Sequence, residues 1–124
     1  MTIRVAIINY GIGNIRSLYN SLKKIDIDAE IIADPELINN FNKVFLPGVG
    51  SYKDAIFMIK KFGWDKAIKN FSSNKDKSLF GICVGMQILS SHGYENGKSK
   101  GLDIIKGDVE FMDKQGCNLK LPHI

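Results

Sequence analysis

The ten residues Ser78-Leu79-Phe80-Gly81-Ile82-Cys83-Val84-Gly85-Met86-Gln87 decide how the rest of this chain is read. An apolar run from Leu79 to Ile82 meets a single cysteine, and Val84 to Ser91 continues with apolar and helix-forming residues. That change of period predicts a strand, a sharp turn carrying one thiol, and a helix over 84–91. Gly81 and Gly85 stand two residues to either side of Cys83, the spacing of a nucleophile elbow with sulfur in place of oxygen. Such a turn would set the Cys83 sulfur at the positive end of the following helix, where a thiolate is favoured. A cysteine within a strand would instead read as a buried core thiol; the paired glycines favour the turn.

Upstream, Lys43-Val44-Phe45-Leu46 reads as a strand that runs straight into Pro47-Gly48-Val49-Gly50-Ser51. Two glycines bracketing a valine after a strand let the backbone expose N–H groups, and such groups can hold an oxyanion. Taken alone, the loop is also consistent with a simple turn ahead of a helix over 51–62. Ile3 to Ile8 is a nearly continuous apolar run, as suits a strand covered on both faces. Asn9 to Asn14 breaks it with two glycines, and Ile15, Leu18, Tyr19, Leu22 and Ile25 then recur at helical spacing. A dinucleotide fingerprint would need a glycine where Arg16 stands. Ala29 to Ile32 reads as the second strand, and Asp34-Pro35 as the start of a short helix. Trp64 to Phe71 gives another.

Downstream of the thiol, the glycine-rich stretch from His92 to Gly101 reads as loop. Asp103 to Ile105, Val109 to Met112 and Leu119 to Leu121 read as short strands. Strand and helix alternate up to Ser91, which predicts an α/β fold of three layers, a parallel sheet flanked by helices on both faces. Ligands of such sheets bind at the carboxyl ends of the strands. The Pro47 to Gly50 loop and Cys83 both fall there and are read as one site.

With 124 residues, 44% hydrophobic and 24% charged, the chain reads as one soluble domain with material for a core. Its net charge of +4 comes from scattered lysines, densest at Lys60-Lys61 and Lys66 to Lys69, which is the pattern of solvated helix faces rather than a nucleic-acid stripe. The apolar stretch before Tyr10 is too short for a signal segment or a membrane span. Cys83 and Cys117 form no C-x-x-C pair and no His/Cys cluster, so neither a metal nor a cofactor is expected, and the setting reads as reducing and cytoplasmic.

Taken in order, Y-G-x-G-N at Tyr10 to Asn14, P-G-V-G at Pro47 to Gly50, G-I-C-V-G-M-Q at Gly81 to Gln87, G-D-V at Gly107 to Val109 and L-P-H at Leu121 to His123 form a set. This set resembles the glutaminase subunit of imidazole glycerol phosphate synthase, a class I (triad) glutamine amidotransferase of histidine biosynthesis with a flavodoxin-like fold. The resemblance implies that Cys83 attacks the side-chain amide of glutamine, forming a thioester and releasing ammonia. It implies an oxyanion hole from the N–H groups of Val84 and of Gly48, Val49 and Gly50. Gln87 and Glu95 would contact the substrate, and Asn14 would lie toward the cyclase partner of a heterodimer, which receives the ammonia. Read without the resemblance, Gln87 serves equally as a hydrogen-bonding group for a loop, Glu95 as a solvated side chain, and Asn14 as the N-cap of the first helix.

The family's catalytic His and Glu come from a later segment resembling F-H-P-E, and the chain stops at Ile124, directly after P-H, where the family continues G-W-N. Residues 1–124 are therefore expected to be the N-terminal portion, about three fifths, of a single glutamine amidotransferase domain, inactive by itself. His92, nine residues beyond Cys83, would lie roughly 13 Å away along a helix, too far to act as the base. Two other readings use the same motifs: an ammonia-supplying paralogue for a sugar amidotransferase in surface polysaccharide synthesis, and a non-catalytic module that docks on the cyclase.

Overall fold

The first apolar run forms a strand, trimmed to Val5–Ile8 (β1), in a computed structural model that describes residues 2–112. Ala29–Ile32 (β2), Lys43–Leu46 (β3) and Ser78–Gly81 (β4) join it in one parallel sheet, in the order β2-β1-β3-β4. β1 lies inside the sheet and is buried along its whole length, as its unbroken apolar character requires. Ile15–Lys24 (α1) covers one face, where Leu22 packs with Val5, Ile7 and Ala29. Tyr52–Lys61 (α2) and Trp64–Ser72 (α3) cover the other, where Ile59, Trp64 and Ile68 pack with Ile8, Val44 and Leu46. The chain is thus the three-layer α/β sandwich that the alternation of its elements predicts.

Local signals place the ends of these elements. Asp34 Oδ1 accepts the Glu36 N–H at 2.9 Å and Pro35 takes the first position of a 3-10 helix over Pro35–Asn40. Ser51 Oγ accepts the Asp54 N–H at 3.1 Å and so starts α2 directly after the P-G-V-G loop. At the other edge β4 pairs only with β3 among the described residues. There Phe80 stacks on Phe45 with ring centroids 5.1 Å apart and stays 43% exposed, so helical cover on both faces does not extend to this edge.

The stretch after the thiol departs from its periodicity. The helix expected over 84–91 is a single turn, Val84–Gln87 (α4). The carbonyls of Ile88, Leu89 and Ser90, which a continuing helix would use, accept instead from Leu102, from Ile104 and Ile105, and from Asp103. Residues 103–105, expected as a strand, are thereby drawn into a loop wrapped on the end of α4, with Asp103 at φ 57°. The expected loop from His92 contains two short strands, His92–Gly93 (β5) and Ser99–Lys100 (β6), which pair antiparallel, while Asp108–Val109 (β7) pairs parallel with β5. Of the strand expected over 109–112, only Val109 is in a strand. The expected strand at Leu119 to Leu121, together with Cys117 and the L-P-H of His123, lies outside the described residues.

Candidate active site

The thiol sits on a strained turn at the carboxyl end of the sheet. The Ile82 N–H donates to Leu46 O at 3.0 Å, extending the β3–β4 ladder one step, and the chain then reverses. Gly85 N–H closes on Ile82 O at 2.9 Å, and the Met86 and Gln87 N–H groups on Cys83 O at 3.0 and 3.1 Å. Cys83 itself has φ 54° and ψ −126°, a conformation that residues with a β-carbon rarely adopt. Its side chain is exposed, which overturns the buried-thiol alternative. Strain of this kind, on a residue held between a strand and a helical turn, is the geometry of a nucleophile elbow.

The P-G-V-G loop lies against that turn, backbone to backbone. A β-carbon on Gly48 would come within 2.7 Å of Gly85 N and 3.2 Å of Val84 C. One on Gly81 would meet Met86 Cα at 2.6 Å. The glycines flanking Cys83 and the one after Pro47 are therefore required by close approach, and they hold the two loops in register. Among the described residues no hydrogen bond uses the N–H of Gly48, Val49, Gly50 or Val84. These donors, adjoining an exposed thiol, are what an addition reaction at a carbonyl needs when negative charge develops on oxygen.

Two cavities divide the residues singled out from the sequence. Cys83, Gly48, Val49 and Asn14 line one of about 210 Å³, with Ser17, Leu18 and Ser21 along its α1 wall. Gln87 and Glu95 line a separate one of about 370 Å³, together with Tyr52, Tyr94 and Glu110. Gly50 and Val84 line neither: Val84 is buried, and Gly50 has φ +89° and open space around it. Asn14 precedes α1 but makes no capping hydrogen bond, so the capping reading gives way to a wall of the thiol cavity. Glu95, expected to be solvated or to touch substrate, accepts the Tyr52 N–H through Oε1 at 3.1 Å, bracing the start of α2.

Sequence reasoning missed Tyr10, Tyr52, Ser17 and Ser21. Asn14, Ser17 and Ser21 repeat at helical spacing, a polar stripe beside the apolar one, and that signal was available. Tyr10 opens the Y-G-x-G-N motif, but nothing local gives the role of its buried hydroxyl, which donates to Pro47 O at 2.8 Å. Burial pushes its phenol far above the ordinary range, so the hydroxyl keeps its proton. Burial likewise raises the Tyr52 phenol, whose oxygen pairs with Ser90 Oγ at 2.9 Å.

Among the described residues no histidine or carboxylate lines the cavity that holds the thiol. His92 is on β5, where the short helix leaves it, with Nδ1 3.2 Å from Asp108 Oδ1, and it lines neither cavity. With α4 ending at Gln87, a separation of roughly 13 Å along a helix no longer applies to His92; what sets it apart from the thiol is that it does not line the Cys83 cavity. His123 lies outside the described residues. Among the described residues no group of three His, Cys, Asp or Glu side chains is placed to hold a metal ion, and no helix is long and apolar enough to cross a membrane.

Comparison with known proteins adds a family match, two relatives and one fold neighbour. The profile of the CobB/CobQ-like glutamine amidotransferase domain matches residues 3–121. The imidazole glycerol phosphate synthase subunit HisH of Caldanaerobacter subterraneus subsp. tengcongensis is 42% identical over 120 residues, covering 97% of this chain and 57% of the relative. The HisH subunit of Sulfurimonas denitrificans is 38% identical over 122 residues, covering 97% and 58%. The chain thus spans a little under three fifths of the length of these relatives. A crystal structure of a glutamine amidotransferase superposes with a TM-score of 0.72 at 19% identity, over 85% of this chain and 55% of that one, a likeness of fold.

Proposed function

Since this chain belongs to the CobB/CobQ-like glutamine amidotransferase family, we propose that it carries the thiol and oxyanion half of a glutaminase site that serves imidazole glycerol phosphate synthase. The Cys83 sulfur adds to the side-chain amide carbon of glutamine. The carbonyl electron pair moves onto oxygen, where the free N–H groups of Val84 and the Gly48 to Gly50 loop receive it. Collapse of the adduct expels the amide nitrogen as ammonia, which carries off the thiol proton, and leaves a thioester at Cys83. Water then cleaves the thioester to glutamate and restores the thiol. Gln87 and Glu95, which line the larger cavity, take the amino-acid end of the substrate, with Gln87 one helical turn beyond Cys83 on α4.

The observation that carries this reading is the conformation of Cys83, an exposed thiol held at φ 54° directly against a loop of unbonded amides. The HisH relatives, by name subunits of imidazole glycerol phosphate synthase, support this pathway; on this reading a cyclase subunit is the heterodimer partner, approached from the Asn14 side, and the cytoplasm is the setting. The proton shuttle is outside this set of residues. It falls to the His and Glu of the later F-H-P-E segment in proteins the motifs resemble. Losing a triad member costs roughly 10⁴-fold or more in turnover, so residues 1–124 assayed apart from such a segment are expected to show negligible glutaminase activity.

The test is capture rather than turnover. At about pH 9, where a thiol ionises without help, diazo-oxo-norleucine, a diazoketone analogue of glutamine, is expected to label Cys83 saturably and to be displaced by L-glutamine. Labelling that stays linear in the analogue and ignores glutamine would remove the glutaminase reading. Calorimetric titration with the cyclase subunit tests the partner, and binding to the cyclase without capture would favour a non-catalytic docking module.

A further inference from the structure

We propose that Tyr10 is a positioning residue for the oxyanion loop: its buried hydroxyl, by donating to the Pro47 carbonyl, sets the peptide plane that leads into Gly48-Val49-Gly50 and holds that loop against the Cys83 turn. The proposal rests on the reading of Cys83 as the nucleophile toward glutamine.

Tyr10 is 1% exposed, and its Oη lies 2.8 Å from Pro47 O. Because a peptide unit is planar, anchoring the carbonyl of Pro47 also fixes the direction of the Gly48 N–H on the opposite side of the same plane. Tyr10 reaches this point through the space that a side chain on Gly48 would fill. A β-carbon there would lie 2.7 Å from Tyr10 Oη and 2.7 Å from Gly85 N. The ring hydroxyl, the loop and the thiol turn are therefore stacked in direct contact. Past that point the loop is held loosely. Val49 is 52% exposed, Gly50 has no heavy atom within 4 Å of where its β-carbon would be, and the Tyr10 bond is the one side-chain hydrogen bond to residues 47–50 among the described residues. A core position that needed only apolar bulk would be filled by phenylalanine without a polar atom to satisfy. The hydroxyl has one partner, and that partner is the loop whose amides the chemistry uses.

The test is Tyr10→Phe in the 124-residue chain, read by the kinetics of Cys83 capture. With diazo-oxo-norleucine the maximal rate of inactivation is expected to fall about tenfold, with the half-saturating concentration unchanged, because a displaced cradle penalises the adduct and not the encounter. Alkylation of Cys83 by iodoacetamide, which needs no oxyanion loop, should stay within about twofold of wild type. Tyr10→para-aminophenylalanine keeps a donor and should restore the rate. If Tyr10→Phe does not fold, Tyr10→para-fluorophenylalanine fills the hydroxyl's volume without donating and takes its place. Saturable capture of the wild type with an unchanged maximal rate in the variants overturns the positioning role. An equal fall with iodoacetamide also overturns it, since that marks a general disturbance of the thiol. Failure of the wild type to show saturable capture overturns the glutaminase reading, and this proposal with it.

Discussion

A β-carbon on Gly85 would fall on the carbonyl oxygen of Leu46: the turn that follows the thiol rests on the end of β3 with no side chain between. Gly85→Ala makes this contact measurable. In a helix, alanine is preferred to glycine by about 1 kcal/mol, so propensity alone predicts a gain. Overpacking of backbone on backbone outweighs it, and we expect a net loss of about 2 kcal/mol or more in chemical denaturation. A neutral or stabilising result would mean that the two loops are not in this register.

Cys83 carries the opposite kind of strain, conformational rather than steric. At φ 54° and ψ −126° a residue with a β-carbon is disfavoured by about 1–3 kcal/mol, a cost that glycine escapes. After allowing for the greater freedom of glycine in the unfolded chain, Cys83→Gly should raise stability by about 1 kcal/mol, while Cys83→Ala leaves it nearly unchanged. Thermal melting of the pair decides. A destabilised glycine variant would show that the turn is relaxed and the elbow reading misplaced.

Glu95 has two tasks that separate in measurement. Its carboxylate accepts the Tyr52 N–H at 3.1 Å, and it lines the cavity of Gln87. Glu95→Gln keeps an acceptor for that N–H and removes the charge, so stability should change by less than about 0.5 kcal/mol. The concentration of diazo-oxo-norleucine needed to half-saturate capture should rise about tenfold, as expected if the carboxylate faces the ammonium group of the substrate. Unchanged half-saturation would confine Glu95 to bracing α2.

The loop that truncates α4 has its own pH dependence. The hydrogen bond from Lys106 Nζ at 2.7 Å, reinforced by that from Ser91 Oγ at 2.6 Å, lowers the Asp103 carboxyl from 3.8 to about 2. A carboxyl whose pKa is depressed in the folded state contributes stability that is fully present above its unfolded value and is lost as pH falls through the folded one. The contribution should therefore fade between about pH 4 and about pH 2. Asp103→Asn, which tolerates the same positive φ, should flatten this acid limb of the stability profile by lowering the neutral plateau toward the acid level. An unaltered limb would place the acid sensitivity elsewhere.

Much of this arrangement was legible in the residues. The apolar runs at Ile3 to Ile8, Ala29 to Ile32 and Lys43 to Leu46 named their strands: β1 is buried along its whole length and has no polar position to confuse the reading, and the single polar residues Glu30 of β2 and Lys43 of β3 do not break their runs. Ser51 and Asp34 named the starts of their helices through capping chemistry that is local. The glycines around Cys83 and after Pro47 pointed to one site, because close backbone approach excludes every other residue type there.

What periodicity could not give was the fate of residues 84–109. Val84 to Ser91 has a helical pattern, yet its last carbonyls are taken by amides of residues 102–105, which are distant in sequence from any partner that a local rule consults. The same holds for Tyr10 and Pro47, 37 residues apart and joined by one buried hydrogen bond. Sequence alone determined the four strands of the parallel sheet, the caps at Asp34 and Ser51 and the thiol on its glycine-flanked turn, since each depends on neighbours in the chain. Only the tertiary structure decided what holds the Pro47 to Gly50 loop and where helix α4 ends, since hydrogen bonds between distant segments are satisfied in space and leave no periodic trace.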